Sequence, residues 1–415
     1  MYDHLKTSKI SFLADEVVAI SATSLLPGSE AKISLSFKGW RSEAVFLVDE
    51  SGSINLVTDA PKEGSYGGVD AMGLFWSMTT STEELKPMSS PTPDRMALAL
   101  SSQGIEETIF IERLYAKPGV KRIEVRDNGL FGVLYLPAEE GPHAGIINLN
   151  GSDGGLSEAT AALLASRGYA AFALAYFNYS TMQADLSQLP LEYFAKAIDW
   201  LQQHEAVDAD RLAVRGGSRG GELALLLGSL FPALKVVVAN VPSSVHWAAV
   251  SDSRERSVCG SWHYKDKPLA WISPVFKGSD FVENEPISFT PGFKRAMDNE
   301  ALVHAAEIEV EKINGPILIV SGEDDAMWPS TYFSNMVVKR LETHNFTHAV
   351  QHIACKNAGH LVSGIPYQPT TITSIIHPVI NMPVTFGGTP EADAKGEIEG
   401  WSSTMTLFES HLSKH

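Results

Sequence analysis

The sequence predicts an α/β domain built on a parallel sheet, preceded by an all-β module. From about residue 144 onward, near-continuous apolar segments such as Gly145–Leu149 and Lys235–Asn240 alternate with segments of helical apolar spacing. That rhythm marks a parallel sheet covered on both faces. Over the first hundred or so residues only short alternating or β-branched segments occur, separated by turn clusters. At 415 residues the chain exceeds what one hydrophobic core usually organises, so two domains are expected.

In chain order, Lys9–Ala14, Glu16–Ser21, Ala31–Phe37 and Glu43–Val48 read as strands, with turns at Pro27-Gly28-Ser29 and Asp49-Glu50-Ser51-Gly52. Ser77–Pro93, dense in Ser, Thr and Pro, reads as loop, and Ile109–Ala116 alternates as a strand. No amphipathic helix precedes Ala138, and strands at this spacing point to an immunoglobulin-like β-sandwich over residues 1–117. Pro118-Gly119 marks the boundary, and residues 118–415 form the α/β domain.

There, Ile123–Arg126 and Leu130–Leu136 read as a hairpin around Asn128-Gly129. Gly145–Leu149 is a strand, Leu156–Arg167 a helix, Ala170–Ala175 a strand and Leu191–His204 a helix. Leu212–Arg215 is a strand, Gly220–Phe231 a helix, and Lys235–Asn240 and Pro316–Ser321 are strands. The polar and aromatic stretch Pro242–Gly315 between the last two is too long for a loop and reads as a cap-like, helix-bearing insertion around 242–315.

Composition narrows the function classes. Lys and Arg total 32 against 49 Asp and Glu, a net charge of −17. This argues against a nucleic-acid binder and against a polybasic membrane-surface protein. No apolar run approaches a membrane span, and the first residues carry no signal-peptide pattern. Cys259 and Cys355 cannot make a disulfide framework, which points to a reducing, cytoplasmic compartment. No metal-ligand spacing, G-K-[ST] or G-x-G-x-x-G occurs, so no metal or cofactor is expected. Nothing in the sequence fixes an oligomeric state.

The chemistry gathers around Gly216-Gly217-Ser218-Arg219-Gly220, a G-x-S-x-G that follows an apolar strand and opens an apolar helix. This strand–turn–helix setting makes Ser218 a candidate nucleophile on an α/β-hydrolase elbow. A serine hydroxyl needs a base, and the base needs an orienting acid, in the chain order Ser, Asp, His. The strand Pro316–Ser321 runs into Gly322-Glu323-Asp324-Asp325, where the acid belongs. Asp325 has the better spacing to Gly322 and Pro329, and Asp324 is the alternative. His360, in Asn357-Ala358-Gly359-His360 after the strand-like Ala349–Ala354, is the candidate base. His246 and His263, in the insertion, are lesser candidates for touching substrate. Oxyanion donors are expected from the backbone N–H of Arg219 and of Gly151 or Ser152, in the glycine-rich Asn150–Gly155 loop.

These residues resemble a known family. GGSRGGELAL, NLNGSDGG, ALAYFNY with LEYFAKAIDWL, SGEDDAMWPS, the AGH at Ala358–His360 and the late FGGTPEADA are similar to segments of the type I acyl-CoA thioesterase / bile acid-CoA:amino acid N-acyltransferase family. AMGLFWSM and KPGVKR resemble its N-terminal module. The resemblance covers nearly the whole chain and implies a β-sandwich joined to an α/β-hydrolase domain, with acyl-CoA thioesters as substrates. Carried over by position, it implies the triad Ser218, Asp325 and His360. Relatives that conjugate acyl groups to amino acids carry Cys where this chain has Ser218, and the Ser413-Lys414-His415 end is not a peroxisomal S-K-L address. The expected activity is therefore acyl-CoA hydrolysis. An amino-acid N-acyltransferase and an oxygen-ester or lactone hydrolase on the same fold are the alternatives.

Overall fold

A computed structural model describes residues 4–81, 91–253 and 258–413. Part of the Ser77–Pro93 interval and the last two residues thus lie outside the described residues.

Among the described residues the N-terminal part is all-β apart from one turn of helix at Gly73–Trp76. A seven-stranded sheet contains the long strands Glu30–Phe37, Trp40–Leu47, Asp94–Ser102 and Ile105–Leu114, and a three-stranded sheet contains Leu5–Thr7, Ile20–Ala22 and Ile54–Asn55. Alternate residues of Glu30–Phe37 are buried, as the alternating sequence requires. Their apolar side chains close on a core that includes Phe12, Ile33, Phe46, Phe75 and Leu98. The strand Asp94–Ser102 was not foreseen. Its MALAL run reads as helix or strand by periodicity alone, and pairing on both sides, with Glu30–Phe37 and Ile105–Leu114, decides it. The expected strand at Glu16–Ser21 is shifted to Ile20–Ala22.

The second part is organised by eight strands: β1 (Lys121–Val125), β2 (Phe131–Leu136), β3 (His143–Leu149), β4 (Ala170–Ala175), β5 (Val207–Gly217), β6 (Leu234–Asn240), β7 (Ile317–Gly322) and β8 (Val350–Cys355). Their order across the sheet is β1-β2-β4-β3-β5-β6-β7-β8. β2 runs antiparallel to β1 and β4, and every pair from β4 to β8 is parallel. The turn between β1 and β2 places Asn128 and Gly129 at φ 54° and 76°, left-handed conformations that Asn and Gly accept readily. Helices α1 (Glu158–Ser166), α2 (Glu192–Gln203), α3 (Arg219–Leu230), α4 (Ser330–Thr343) and α5 (Pro390–Leu412) accompany the strands. β4 is buried at all six positions, which is why these strands read as unbroken apolar runs.

The stretch between β6 and β7 carries short helices at Thr290–Ala296 and Glu300–Ala306. Its strand Trp262–Tyr264 pairs with Leu189–Pro190. Trp247 packs on Phe293 and Phe333 in a separate apolar cluster. Asp15, from the N-terminal part, accepts hydrogen bonds from Arg167 after α1 (2.6 and 2.9 Å) and from Trp401 Nε1 on α5 (2.9 Å). Among the described residues no helix is long and apolar enough to cross a membrane.

Candidate active site

The parallel strands end on one edge of the sheet, and the candidate residues sit on the loops that leave it. β5 passes directly into α3 through Ser218, whose backbone is held at φ 57° and ψ −123°. A non-glycine residue in this region is strained by about 1–3 kcal/mol. Three backbone bonds hold it: the Ser218 N–H donates to Asn240 O (2.9 Å), and Ser218 O accepts from the N–H groups of Gly221 and Glu222 (2.8 and 3.0 Å). The flanking glycines are a steric requirement. A Cβ on Gly216 would stand 2.0 Å from Gly220 O, and one on Gly220 would stand 2.3 Å from Asn150 O. The G-x-S-x-G pattern is thus how β5, α3 and the loop after β3 can meet at this turn.

At the end of β7, the two adjacent aspartates part company. Asp324 is exposed and Asp325 is buried. Asp325 Oδ2 accepts the bond from His360 Nδ1 at 2.8 Å. Its Oδ1 accepts the backbone N–H groups of Met327 (3.0 Å) and Trp328 (3.3 Å), which fixes the carboxylate plane. His360 lies after β8 in a short turn, and the Cβ of Ser363 in that turn would be 3.2 Å from a Cβ on Gly217. The His360 N–H donates to Phe386 O (2.9 Å), and the Phe386 ring stacks on the imidazole at 6.4 Å with planes 6° apart. With Nδ1 committed to Asp325, Nε2 is the ring nitrogen that Asp325 does not engage.

The loop after β3 closes the site from the other side: a Cβ on Gly151 would come within 3.3 Å of Ser218 Cβ. Tyr176 Oη donates to Asn150 O at 2.6 Å and steadies this loop. Arg219 begins α3, so its backbone N–H has no intrahelical acceptor and faces the helix's positive end. Its side chain turns inward: the guanidinium pairs with Glu222 at 2.6 Å, and Trp262 Nε1 donates to the other Glu222 oxygen at 2.7 Å. This cation is therefore spent inside the protein. Of the two lesser histidines, His246 is buried, bonded to Ala270 O and pushed down to about 4 by burial, so it is a packing residue. His263 lies in the small strand paired with Pro190 and Pro268.

Behind His360 lie groups that the sequence reading passed over. Asp393 Oδ1, on α5, accepts the Gly359 N–H at 2.6 Å, while Asp393 Oδ2 and Glu397 Oε2 are buried with no partner. Burial, with Asp325 adding repulsion, pushes the Asp393 carboxyl up to about 7, and burial raises Glu397 well above the usual range. A detectable signal existed. Asp393, Glu397, Trp401, Thr404 and Phe408 form one buried helical stripe, and its first two members are acids. Because both folded values lie above the unfolded values, the folded state binds protons more tightly, and stability falls as pH rises from about 4. Replacing Glu397 by Gln is expected to raise Tm by about 2 °C or more at pH 8. The gain should vanish below about pH 4, where both states are protonated; an equal gain at both pH values would refute this assignment. Among the described residues no group of three or more His, Cys, Asp or Glu is placed to hold a metal ion.

A serine on a strained turn between a parallel strand and a helix, with a histidine–aspartate pair on later loops, defines the class: this is an α/β-hydrolase fold carrying an N-terminal all-β region. The chain belongs to the acyl-CoA thioester hydrolase/BAAT family. The family's C-terminal model, "BAAT / Acyl-CoA thioester hydrolase C terminal", matches residues 189–414, and the "Acyl-CoA thioester hydrolase/BAAT N-terminal region" matches residues 15–127. The chain is 30% identical over 427 residues to human "Acyl-coenzyme A thioesterase 2, mitochondrial", covering 97% of this chain and 82% of that protein. It is 30% identical to rat "Acyl-coenzyme A thioesterase 1" over 96% of this chain and 94% of the relative. Among solved structures, the acylaminoacyl peptidase of Pyrococcus horikoshii is similar at 13% identity and a TM-score of 0.44, covering 100% of this chain and 57% of that one.

Proposed function

We propose that the chain hydrolyses acyl-CoA thioesters to free acid and CoA through Ser218, His360 and Asp325. The observation that carries the reading is the 2.8 Å bond between His360 Nδ1 and Asp325 Oδ2 on the loops facing the Ser218 turn, in a chain of this family. His360 Nε2 takes the Ser218 proton as Oγ attacks the thioester carbonyl carbon. The backbone N–H groups of Arg219 and of Gly151 or Ser152 hold the oxyanion. The tetrahedral adduct collapses with cleavage of the C–S bond. The CoA sulfur, whose thiol pKa like that of cysteine is about 8.5, departs readily as a thiolate and takes the proton from His360 Nε2, which leaves CoA as the thiol and His360 as the neutral base. Water, deprotonated by His360 Nε2, then attacks the acyl-serine ester, and His360 gives that proton to Ser218 Oγ as the acid departs. A serine ester resists aminolysis better than a cysteine thioester, which favours water over an amine as acceptor.

Residues 1–117 are proposed as the β-sandwich unit and 118–415 as the catalytic unit, with 242–315 as its cap. Their support is that the last strand of the first sheets ends at Leu114 and β1 begins at Lys121. A reducing, cytoplasmic setting is the companion proposal, supported by only two cysteines in 415 residues.

One observation favours a second reading, hydrolysis of uncharged oxygen esters. The nearby Arg219 is turned inward and paired with Glu222, while CoA is polyanionic. The deciding experiment assays the purified protein on acyl-CoAs of graded chain length, on p-nitrophenyl esters, and on acyl-CoA with glycine or taurine. Thiol release at a kcat/KM above that for the esters, with no amide product, is the expected result. Ester hydrolysis without thiol release would replace the reading with the second one, and an amide product would make the chain a transferase.

A further inference from the structure

We infer that the side-chain hydroxyl of Ser152 is itself an oxyanion donor, aimed by His377, whose Nε2 lies 2.9 Å from Ser152 Oγ. The inference rests on the proposed role of Ser218 as nucleophile.

The tautomer of His377 follows from its other nitrogen. Nδ1 accepts the backbone N–H of Val379 at 3.2 Å, with that of Ile380 at 3.5 Å. An amide N–H can only donate, so Nδ1 is the bare nitrogen and Nε2 carries the proton. Nε2–H must then donate to Ser152 Oγ. With an acceptor site of that oxygen occupied, the hydroxyl has its own proton to give. No acceptor for it occurs among the described residues, and the loop it sits on presses against the nucleophile, as the Gly151 approach to Ser218 shows. The relay runs Val379 N–H to His377 and His377 Nε2–H to Ser152 Oγ, and the proposed last link is the Ser152 O–H to the oxyanion formed on Ser218. Each bond polarises the next.

The element that carries His377 explains why it stays in place. Strands Ser374–Ile376 and Pro383–Thr385 form a hairpin, and His377 begins its turn, with its N–H donating to Met382 O at 2.9 Å and its carbonyl accepting from Asn381 at 2.8 Å. Phe386, at the hairpin's far end, is the residue stacked on His360. One hairpin thus braces both halves of the site. His377 is buried, and burial together with the nearby His360 pushes it down to about 4, so the neutral donor persists at neutral pH.

His377 is in this account a positioning residue, acting through Ser152. The test measures two quantities: turnover of acyl-CoA and the rate at which a fluorophosphonate probe labels Ser218. The probe's phosphoryl oxygen occupies the oxyanion site without needing a thioester. Ser152→Ala is expected to lower both kcat and the labelling rate by about 10²-fold, the usual cost of one oxyanion donor, with KM within about twofold. His377→Phe is expected to lower both about tenfold, and His377→Gln, which keeps an N–H donor, to recover most of the loss. In the Ser152→Ala background, His377→Phe should add less than about twofold. Equal losses from His377→Phe in both backgrounds would mean a structural pillar and overturn the proposal, as would an inert Ser152→Ala. Should the wild type label but leave acyl-CoA intact, the substrate assignment fails while the labelling rates still decide the role of Ser152. A wild type that does not label at all overturns both.

Discussion

Ser218→Ala is expected to reduce CoA release from an acyl-CoA by about 10⁴- to 10⁶-fold while the protein keeps its fold. The fold should survive because Ser218 is held by its backbone: its N–H and carbonyl make the three bonds that secure the turn. Alanine removes only the oxygen and keeps those bonds. What is lost is the acyl-enzyme. Intact-mass measurement after rapid mixing with substrate should show an acyl adduct on the wild type and none on the variant. Turnover that survives within about tenfold would remove Ser218 from the chemistry and end the proposed mechanism.

Asp325→Asn is expected to cost about 10⁴-fold in kcat, whereas Asp324→Asn should stay within about twofold. The geometry gives the reason. Asp325 Oδ1 faces two backbone N–H donors, and Oδ2 faces His360 Nδ1. An asparagine in this place must keep its carbonyl oxygen toward Met327 and Trp328, so its NH₂ turns toward His360. Nδ1 then has to accept, the ring proton moves to Nε2, and the base is no longer free to take a proton from Ser218. The two side chains are adjacent in sequence and differ only in which one points inward, so the pair separates orientation of the base from local charge. Parallel pH–rate profiles and melting curves check it. Equal losses from both variants would show that negative charge near the loop, and not the tautomer of His360, is what matters.

Much of this is legible in the amino-acid sequence alone. The elbow was readable because its constraints are local: a tight strand-to-helix turn needs small residues at fixed offsets, and the sequence places Gly216 and Gly220 there. The alternating strands and helices of the α/β part were readable because buried parallel strands such as Ala170–Ala175 leave unbroken apolar runs. The strand Asp94–Ser102 was not, because its state is set by partners on both sides and not by its own residues. Glu397 and Asp393 lie in a stripe that sequence periodicity could have flagged. His377 left no such trace, since its partner Ser152 is 225 positions away.

The sequence by itself determined the class of fold and singled out Ser218 and His360 as the proposed nucleophile and base, because each rests on residue types at short spacing beside recognisable strand ends. For the acid it favoured Asp325 by spacing, with the adjacent Asp324 as the alternative. The tertiary structure gave the two different surroundings, burying Asp325 against two backbone N–H groups while leaving Asp324 exposed. Only the tertiary structure, too, could bring a hairpin from the end of the chain against the loop after β3, or turn Arg219 inward to Glu222. Those arrangements depend on which surfaces remain to be buried once the sheet has formed, and no local pattern in the chain encodes that.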